Sequence, residues 1–148
     1  MQQVWVFFYG ITMNPVAMKD FGVTAAAVSP AKLAGFELTI RPRPNLVRCE
    51  RTSVFGSLML VTHEDLTTLY SGLEQHFGLK YLPVAVLATT LLDGALRPAL
   101  CYVVPHMTDA PPNPEFVNQL AQCVRTMGLP DWYASHVESL GAHQGNDK

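Results

Sequence analysis

Apolar residues form short runs separated by turn residues, the pattern of a domain with several strands. The first run, residues 4–9, is continuous and rich in β-branched and aromatic side chains, which predicts a strand buried on both faces. Asp93-Gly94 is a strong hairpin signal between two later runs. Further strands are predicted over residues 32–40, 54–61, 81–90 and 99–104, and the polar, proline-containing segment 41–53 is predicted as a loop.

Capping residues mark where the helices begin. Asparagine followed by proline at positions 14–15 and again at 113–114 gives an N-cap and a first helical residue that needs no N–H partner. Thr62, with an acid three residues later, is typical of a capping box. Apolar residues then recur at helical spacing, at Leu66, Leu69 and Leu73. A last helix is predicted from Pro130 to Leu140.

The order of these elements is that of an α+β domain: a strand, a helix, several strands and then two helices. One domain is predicted over residues 1–141, because 49% of the 148 residues are hydrophobic and only 15% are charged. Residues 142–148 are polar and are predicted to be a disordered tail.

Charge and cysteine content narrow the classes of function. A formal net charge of −2 gives no attraction for phosphate, so a nucleic-acid partner is not expected. No apolar stretch approaches the ~20 residues that span a bilayer, so no membrane partner is expected either. The chain has 3 cysteines, which cannot all pair internally, and this favours a reducing, cytoplasmic location.

The turn after the first strand is a candidate anion site. The strand breaks at a glycine and runs into a helix start, which directs several backbone N–H groups toward one point. That geometry suits a carboxylate or a phosphate, and an ordinary strand-to-helix connection is the alternative. The candidate binding residues in this turn are Tyr9, Gly10, Ile11, Thr12 and Met13.

Glu74 is the candidate proton-transfer group. It lies near the end of the leucine-faced helix and is followed by the apolar residues Phe77 and Leu79, so partial burial is predicted. A partly buried carboxylate can take and return a proton in a reaction. A solvated glutamate at a helix end is the alternative.

Other residues with useful chemistry lack a recognisable motif. No cysteine lies in the local signature of a thiol enzyme, and no serine lies in a G-x-S-x-G context. Capping explains His63-Glu64-Asp65 better than metal binding does, so no metal site is predicted. The segment 41–53 holds four arginines that are predicted to form a solvated face: Arg41, Arg43, Arg48 and Arg51. The alternative is that one of them pairs with a substrate carboxylate.

Four segments, taken in order, match the motifs of one enzyme family. FYGITM at residues 8–13 is similar to Y-G-[ST]-L-x, and AKLAGFEL at residues 31–38 is similar to A-x-L-x-G-[YF]-x-L. VFGSL at residues 54–58, with the helix start at residues 62–69, resembles V-x-G-x-[LV]-[YF] and L-T-x-E-D-L-x-x-L-D. GLPDWY at residues 128–133 resembles G-L-P-x-x-Y. The set resembles the γ-glutamylcyclotransferase (AIG2-like) family.

This resemblance implies a small, mixed, barrel-like β-sheet with peripheral helices. It also implies a reaction in which the α-amine of a γ-glutamyl group attacks its own γ-carbonyl. The reaction releases 5-oxoproline and an amine, and it needs no cofactor or metal. The substrate would be a γ-glutamyl amine, peptide or carrier-linked group. Trp132 and Tyr133 are expected to face either the core or a second copy in a homodimer.

The resemblance also assigns roles to residues. Glu74 would be the general acid and base, the turn at residues 9–13 would bind the α-carboxylate or the oxyanion, and Tyr81 and Tyr102 would line the substrate. Two departures from the family pattern favour altered chemistry: Ile11 replaces a small hydroxyl residue, and Tyr70 and Gln75 alter the segment around the acid. The alternatives are another hydrolase or lyase on the same scaffold and a non-catalytic small-molecule-binding protein.

Overall fold

Five strands close into a barrel in the order β1-β3-β2-β4-β5. The computed structural model describes residues 2–145, with side chains described as far as residue 141. Neighbouring strands are antiparallel except for the β1–β5 pair, which is parallel. The strands are β1 (Gln3–Phe8), β2 (Ala27–Ile40), β3 (Pro44–Thr62), β4 (Leu82–Thr90) and β5 (Leu96–Val103).

Four α-helices accompany the barrel within the described residues, so the predicted α+β class with a barrel-like sheet is confirmed. A short 3₁₀ turn, Ile11–Met13, connects β1 to the first of them. The helices are α1 (Pro15–Asp20), α2 (His63–Phe77), α3 (Pro114–Thr126) and α4 (Asp131–Gly145).

β3 is the longest strand and begins earlier than the sequence pattern predicts. The loop predicted over residues 41–53 is wrong, because only residues 41–43 separate β2 from β3 and Pro44 is already in the strand. Proline lacks an N–H group and is tolerated at the first residue of a strand. Farther along, the register between the two strands shifts at Gly35, whose φ of 88° favours glycine.

The predicted helix starts are confirmed by their hydrogen bonds. The Thr62 hydroxyl accepts from the Asp65 N–H at 3.0 Å, and the Asp65 carboxylate accepts from the Thr62 N–H at 3.1 Å, which completes the capping box. Gly78 ends α2 in the left-handed region with a φ of 70°. The side chains of Asn14 and Asn113 cap α1 and α3.

The barrel core brings β1 and β3 unusually close. A Cβ atom at position 56 would lie 2.1 Å from the carbonyl oxygen of Phe8, so Gly56 is required for this approach. The neighbouring side chains of Val6, Phe7 and Leu58 are almost completely buried. The contact therefore fixes the end of β1, and with it the start of the turn that follows.

α4 packs on the barrel through Tyr133, which is 2% exposed and contacts the ring of Phe55 in β3. Trp132 is 62% exposed and contacts the same ring edge-on. α4 runs past its predicted end at Leu140 to Gly145. The remainder of the predicted tail, residues 146–148, lies outside the described residues. No helix in the described part of the chain is long and apolar enough to cross a membrane.

Candidate ligand pocket

A cavity of about 100 Å³ lies where β1 ends and the turn toward α1 begins. Apolar cavities of ~150 Å³ admit a benzene-sized molecule, so this cavity suits a small guest. Residues 7–12 form one wall. The other aromatic lining residues come from farther along the chain: Phe21, Tyr70, Phe77, Tyr81, Tyr102 and Phe116. The structure therefore brings the predicted residues Tyr9, Gly10, Ile11 and Thr12 together with Tyr81 and Tyr102.

The tyrosines form a packed wall. The Tyr9 hydroxyl donates to the backbone carbonyl of Tyr102 at 2.6 Å, and Tyr70 stacks on the Tyr102 ring with centroids 4.0 Å apart. The Tyr81 ring lies 5.2 Å from that of Tyr70. Burial raises the pKa of Tyr9 and of Tyr70 well above the ordinary value, so both remain neutral at physiological pH.

Met13 does not line this pocket, unlike the other four predicted residues of the turn. Its side chain is completely buried in the core and does not line the pocket. Its N–H donates to the Gly10 carbonyl at 2.9 Å, and its carbonyl accepts from the Ser57 hydroxyl at 2.8 Å. The backbone N–H and carbonyl groups of Met13 are therefore both engaged within the protein.

Arg43 is the charged residue of this pocket, although all four loop arginines are predicted to be solvated. Its guanidinium carbon lies 4.0 Å from the centroid of the Phe77 ring and 4.3 Å from that of Phe116. Burial lowers the pKa of Arg43, and the neighbouring Tyr81 opposes that change. An arginine stays protonated in proteins, so the pocket carries a positive charge.

Glu74 lies outside this pocket, and the predicted partial burial of its side chain is wrong. It is exposed and lines an adjoining recess of about 320 Å³ together with His63 on the same helix. The recess and the pocket share three lining residues: Tyr70, Tyr81 and Tyr102.

The phase of α2 explains why Glu74 does not share the pocket-lining face of Leu73. Leu66 and Leu69 are buried, and Leu73 continues the same face and lines the pocket. Successive helical residues are rotated by roughly 100°, so the residue after Leu73 leaves that face. Among the described residues, no group of three or more histidines, cysteines and acids is arranged to hold a metal ion.

Solved structures with a similar fold are distant in sequence. A γ-glutamyl cyclotransferase superposes with a TM-score of 0.76 at 16% identity, covering 93% of this chain and 87% of that one. The fold is that of the γ-glutamylcyclotransferases. A γ-glutamyl cyclotransferase from yeast, specific to glutathione, gives 0.61 at 12% identity over 97% of both chains. An AIG2-like protein from Mus musculus gives 0.54 at 18% identity over 73% of this chain and 81% of that one.

No protein-family model matches the sequence. No curated protein matches it either. The likeness to the γ-glutamylcyclotransferases therefore establishes the fold, which confirms the predicted architecture.

Within the γ-glutamylcyclotransferase fold, sequence reasoning missed several residues that line the pocket: Tyr70, Leu73, Phe77 and Phe116. The spacing of leucines in α2 contained a signal for two of them. Leu73 and Phe77 are four residues apart, and residues at that spacing lie on one face of a helix. Nothing local in the sequence connects Phe116 to this face, because it belongs to α3.

Proposed function

We propose that this protein binds a small γ-glutamyl compound in the aromatic pocket. The observation that carries the proposal is the position of the pocket in a γ-glutamylcyclotransferase fold, between the exit turn of β1 and a wall of tyrosines. The turn offers backbone N–H groups at Gly10, Ile11 and Thr12, which suit a carboxylate or a developing oxyanion. The aromatic side chains suit the aliphatic chain of a γ-glutamyl group.

Cyclotransfer is the reaction that we propose for the bound compound. The substrate's α-amine attacks its own γ-carbonyl, the carbon–nitrogen bond to the leaving amine breaks, and 5-oxoproline forms. Because the nucleophile belongs to the substrate, the protein supplies the folded geometry of the chain and a proton carrier. Glu74 takes the proton from the α-ammonium and returns it to the leaving nitrogen. The walls shared by the pocket and the recess of Glu74 support this assignment.

A binding protein without turnover is the second candidate. The observation that favours it is that Leu73 of α2 lines the pocket, whereas Glu74, the next residue, is exposed. In that case the pocket retains affinity for a γ-glutamyl compound, and the carboxylate that cyclotransfer needs stays in solvent.

The two candidates are distinguished by measuring binding and product with the same compounds. A panel of γ-glutamyl amines and peptides is incubated with the protein, 5-oxoproline is followed by mass spectrometry, and affinity is measured by calorimetry. For cyclotransfer, Glu74→Gln is expected to lower turnover by roughly 10²- to 10⁴-fold while affinity is retained. Glu64→Gln, an exposed glutamate earlier in α2, is the matched control and leaves both unchanged.

Each other outcome has a definite meaning. Tight binding with no 5-oxoproline from any panel member favours the non-catalytic candidate. Turnover that persists in Glu74→Gln contradicts the role of this carboxylate. Absence of both binding and product for the whole panel contradicts the proposed function.

A further inference from the structure

Arg43 holds an unusual position for a charged side chain. It lies in the short connection between β2 and β3, and its guanidinium is packed against Phe77 of α2 and Phe116 of α3. Contacts of a guanidinium with two aromatic faces stabilise it electrostatically and restrict its movement. The side chain is therefore held at the pocket wall before any guest arrives.

The hydrogen-bonding capacity of Arg43 is not satisfied within the described residues. Its Nε atom is buried and makes no hydrogen bond. Arg41, two residues earlier, shows the contrast, because its guanidinium donates to both carboxylate oxygens of Asp109, at 2.8 and 3.1 Å. The other ion pairs in the described residues join Arg125 to Asp131 and Glu138. A buried donor without an acceptor is destabilising, and a charged one more so.

The surroundings define what would satisfy this donor. The lining of the pocket includes no aspartate or glutamate in the described part of the chain. The hydroxyl groups of the lining belong to Thr12 and to four tyrosines. One of these is Tyr81, whose pKa is raised by burial and lowered in part by Arg43, so it is neutral at physiological pH. None of these side chains accepts a hydrogen bond from the Arg43 guanidinium within the described residues, and a carboxylate on a guest is an acceptor that suits its terminal nitrogens.

We infer that Arg43 binds the carboxylate of the guest and makes the pocket selective for carboxylates over neutral isosteres. The inference rests on the proposed function in that it concerns the same pocket, and it adds the residue that decides the chemical class of the guest. A guanidinium presents its donors in a planar fork that matches a carboxylate, and such charge-assisted bonds are about twice as strong as neutral ones. The small cavity fits a compact acid.

The test compares an acid with its neutral isostere. L-5-Oxoproline carries one charge, its carboxylate, and its carboxamide has nearly the same shape without that charge. The wild-type protein is expected to bind the acid roughly 10- to 100-fold more tightly than the carboxamide. The difference is expected to disappear in Arg43→Gln and to return only in part in Arg43→Lys, because an ammonium lacks the planar fork.

Arg48→Gln is the matched control. Arg48 also packs on an aromatic ring, with its guanidinium carbon 5.1 Å from the centroid of Phe36, but it lies outside the pocket. This variant is expected to discriminate between acid and carboxamide as the wild type does. Thermal unfolding of each variant shows whether it is folded, and Arg43→Lys provides a charged replacement if Arg43→Gln is not.

A direct observation of Arg43 separates this inference from the proposed function. The Nε–H resonance of Arg43 is expected to shift on titration with sodium acetate and to stay in place with sodium chloride at equal ionic strength. An acetate shift without binding of any γ-glutamyl compound leaves Arg43 as a carboxylate site and contradicts the proposed function. Equal affinity for acid and carboxamide in the wild type, or no acetate shift, overturns the inference even when γ-glutamyl compounds bind.

Discussion

The aromatic pocket and the adjoining recess offer different chemistry to a small molecule. The pocket combines Arg43 and the backbone amides of residues 10–12 with aromatic walls, and its lining in the described residues includes no carboxylate. The recess carries Glu74 on the exposed surface of α2. Three tyrosines border both hollows, so the Arg43 guanidinium and the Glu74 carboxylate lie in neighbouring hollows rather than in one. The comparison teaches that substitutions can change the charge of the pocket and that of the recess separately.

The largest expected effect comes from displacing the strand that carries the pocket. Gly56→Ala places a methyl group 2.1 Å from the Phe8 carbonyl oxygen, so β1 and β3 must separate. We expect the free energy of unfolding to fall by about 3 kcal/mol, as in overpacked cores. Urea unfolding measures it, and ligand affinity should fall with it because the exit turn follows Phe8. A loss below about 1 kcal/mol would contradict the close approach.

The second prediction concerns a substitution that gives the pocket a carboxylate, the group that otherwise distinguishes the recess from it. Leu73→Glu places a carboxylate in the pocket, on the face of α2 that also carries Phe77, against which Arg43 packs. The new carboxylate competes for the guanidinium, so affinity for L-5-oxoproline is expected to fall roughly 100-fold.

Leu73→Met is the control for the Leu73→Glu change, because it conserves volume and charge. Calorimetry on both variants gives the affinities, and similar losses in the two would assign the effect to packing rather than to charge.

The smallest expected effect is at an exposed position of α2 that lines neither hollow. Gly72 is an exposed residue of α2, and a Cβ atom there meets nothing within 4 Å. Gly72→Ala is expected to raise the free energy of unfolding by about 0.5–1 kcal/mol, because alanine loses less backbone entropy in a helix. Ligand affinity should be unchanged. Destabilisation of the protein by this substitution would mean that the surface of α2 is packed more tightly than the structure shows.

Local signals in the sequence predicted much of the fold. Thr62 and Asp65 cap α2 as their spacing predicts, and the asparagine–proline pairs mark α1 and α3, because a cap depends on residues within one turn of each other. The start of β3 was missed because its first residue is a proline and because Arg48 and Arg51 lie in an exposed part of the strand, where polarity resembles that of a loop. Pairing with β2, which local composition does not reveal, keeps that segment extended.

The site was predictable only in part, for reasons visible in three residues. The turn after β1 follows from a glycine break, a local feature. The position of Glu74 follows from helical phase, and the leucine spacing that predicted α2 already places Leu73, not Glu74, on the buried face. Which arginine becomes buried was not predictable, since Arg43 is selected by rings on α2 and α3 that are distant along the chain.

The number of residues that pair differs between the neighbouring strands of the barrel. In the described chain, β1 and β5 pair only at Val6 and Leu100, whereas β2 and β3 pair along most of their length. The Tyr9 hydroxyl spans the same junction to reach the Tyr102 carbonyl. Local opening is easiest where few backbone hydrogen bonds must break. Local opening of the barrel is therefore expected at this junction, beside the pocket, before the long β2–β3 pair separates.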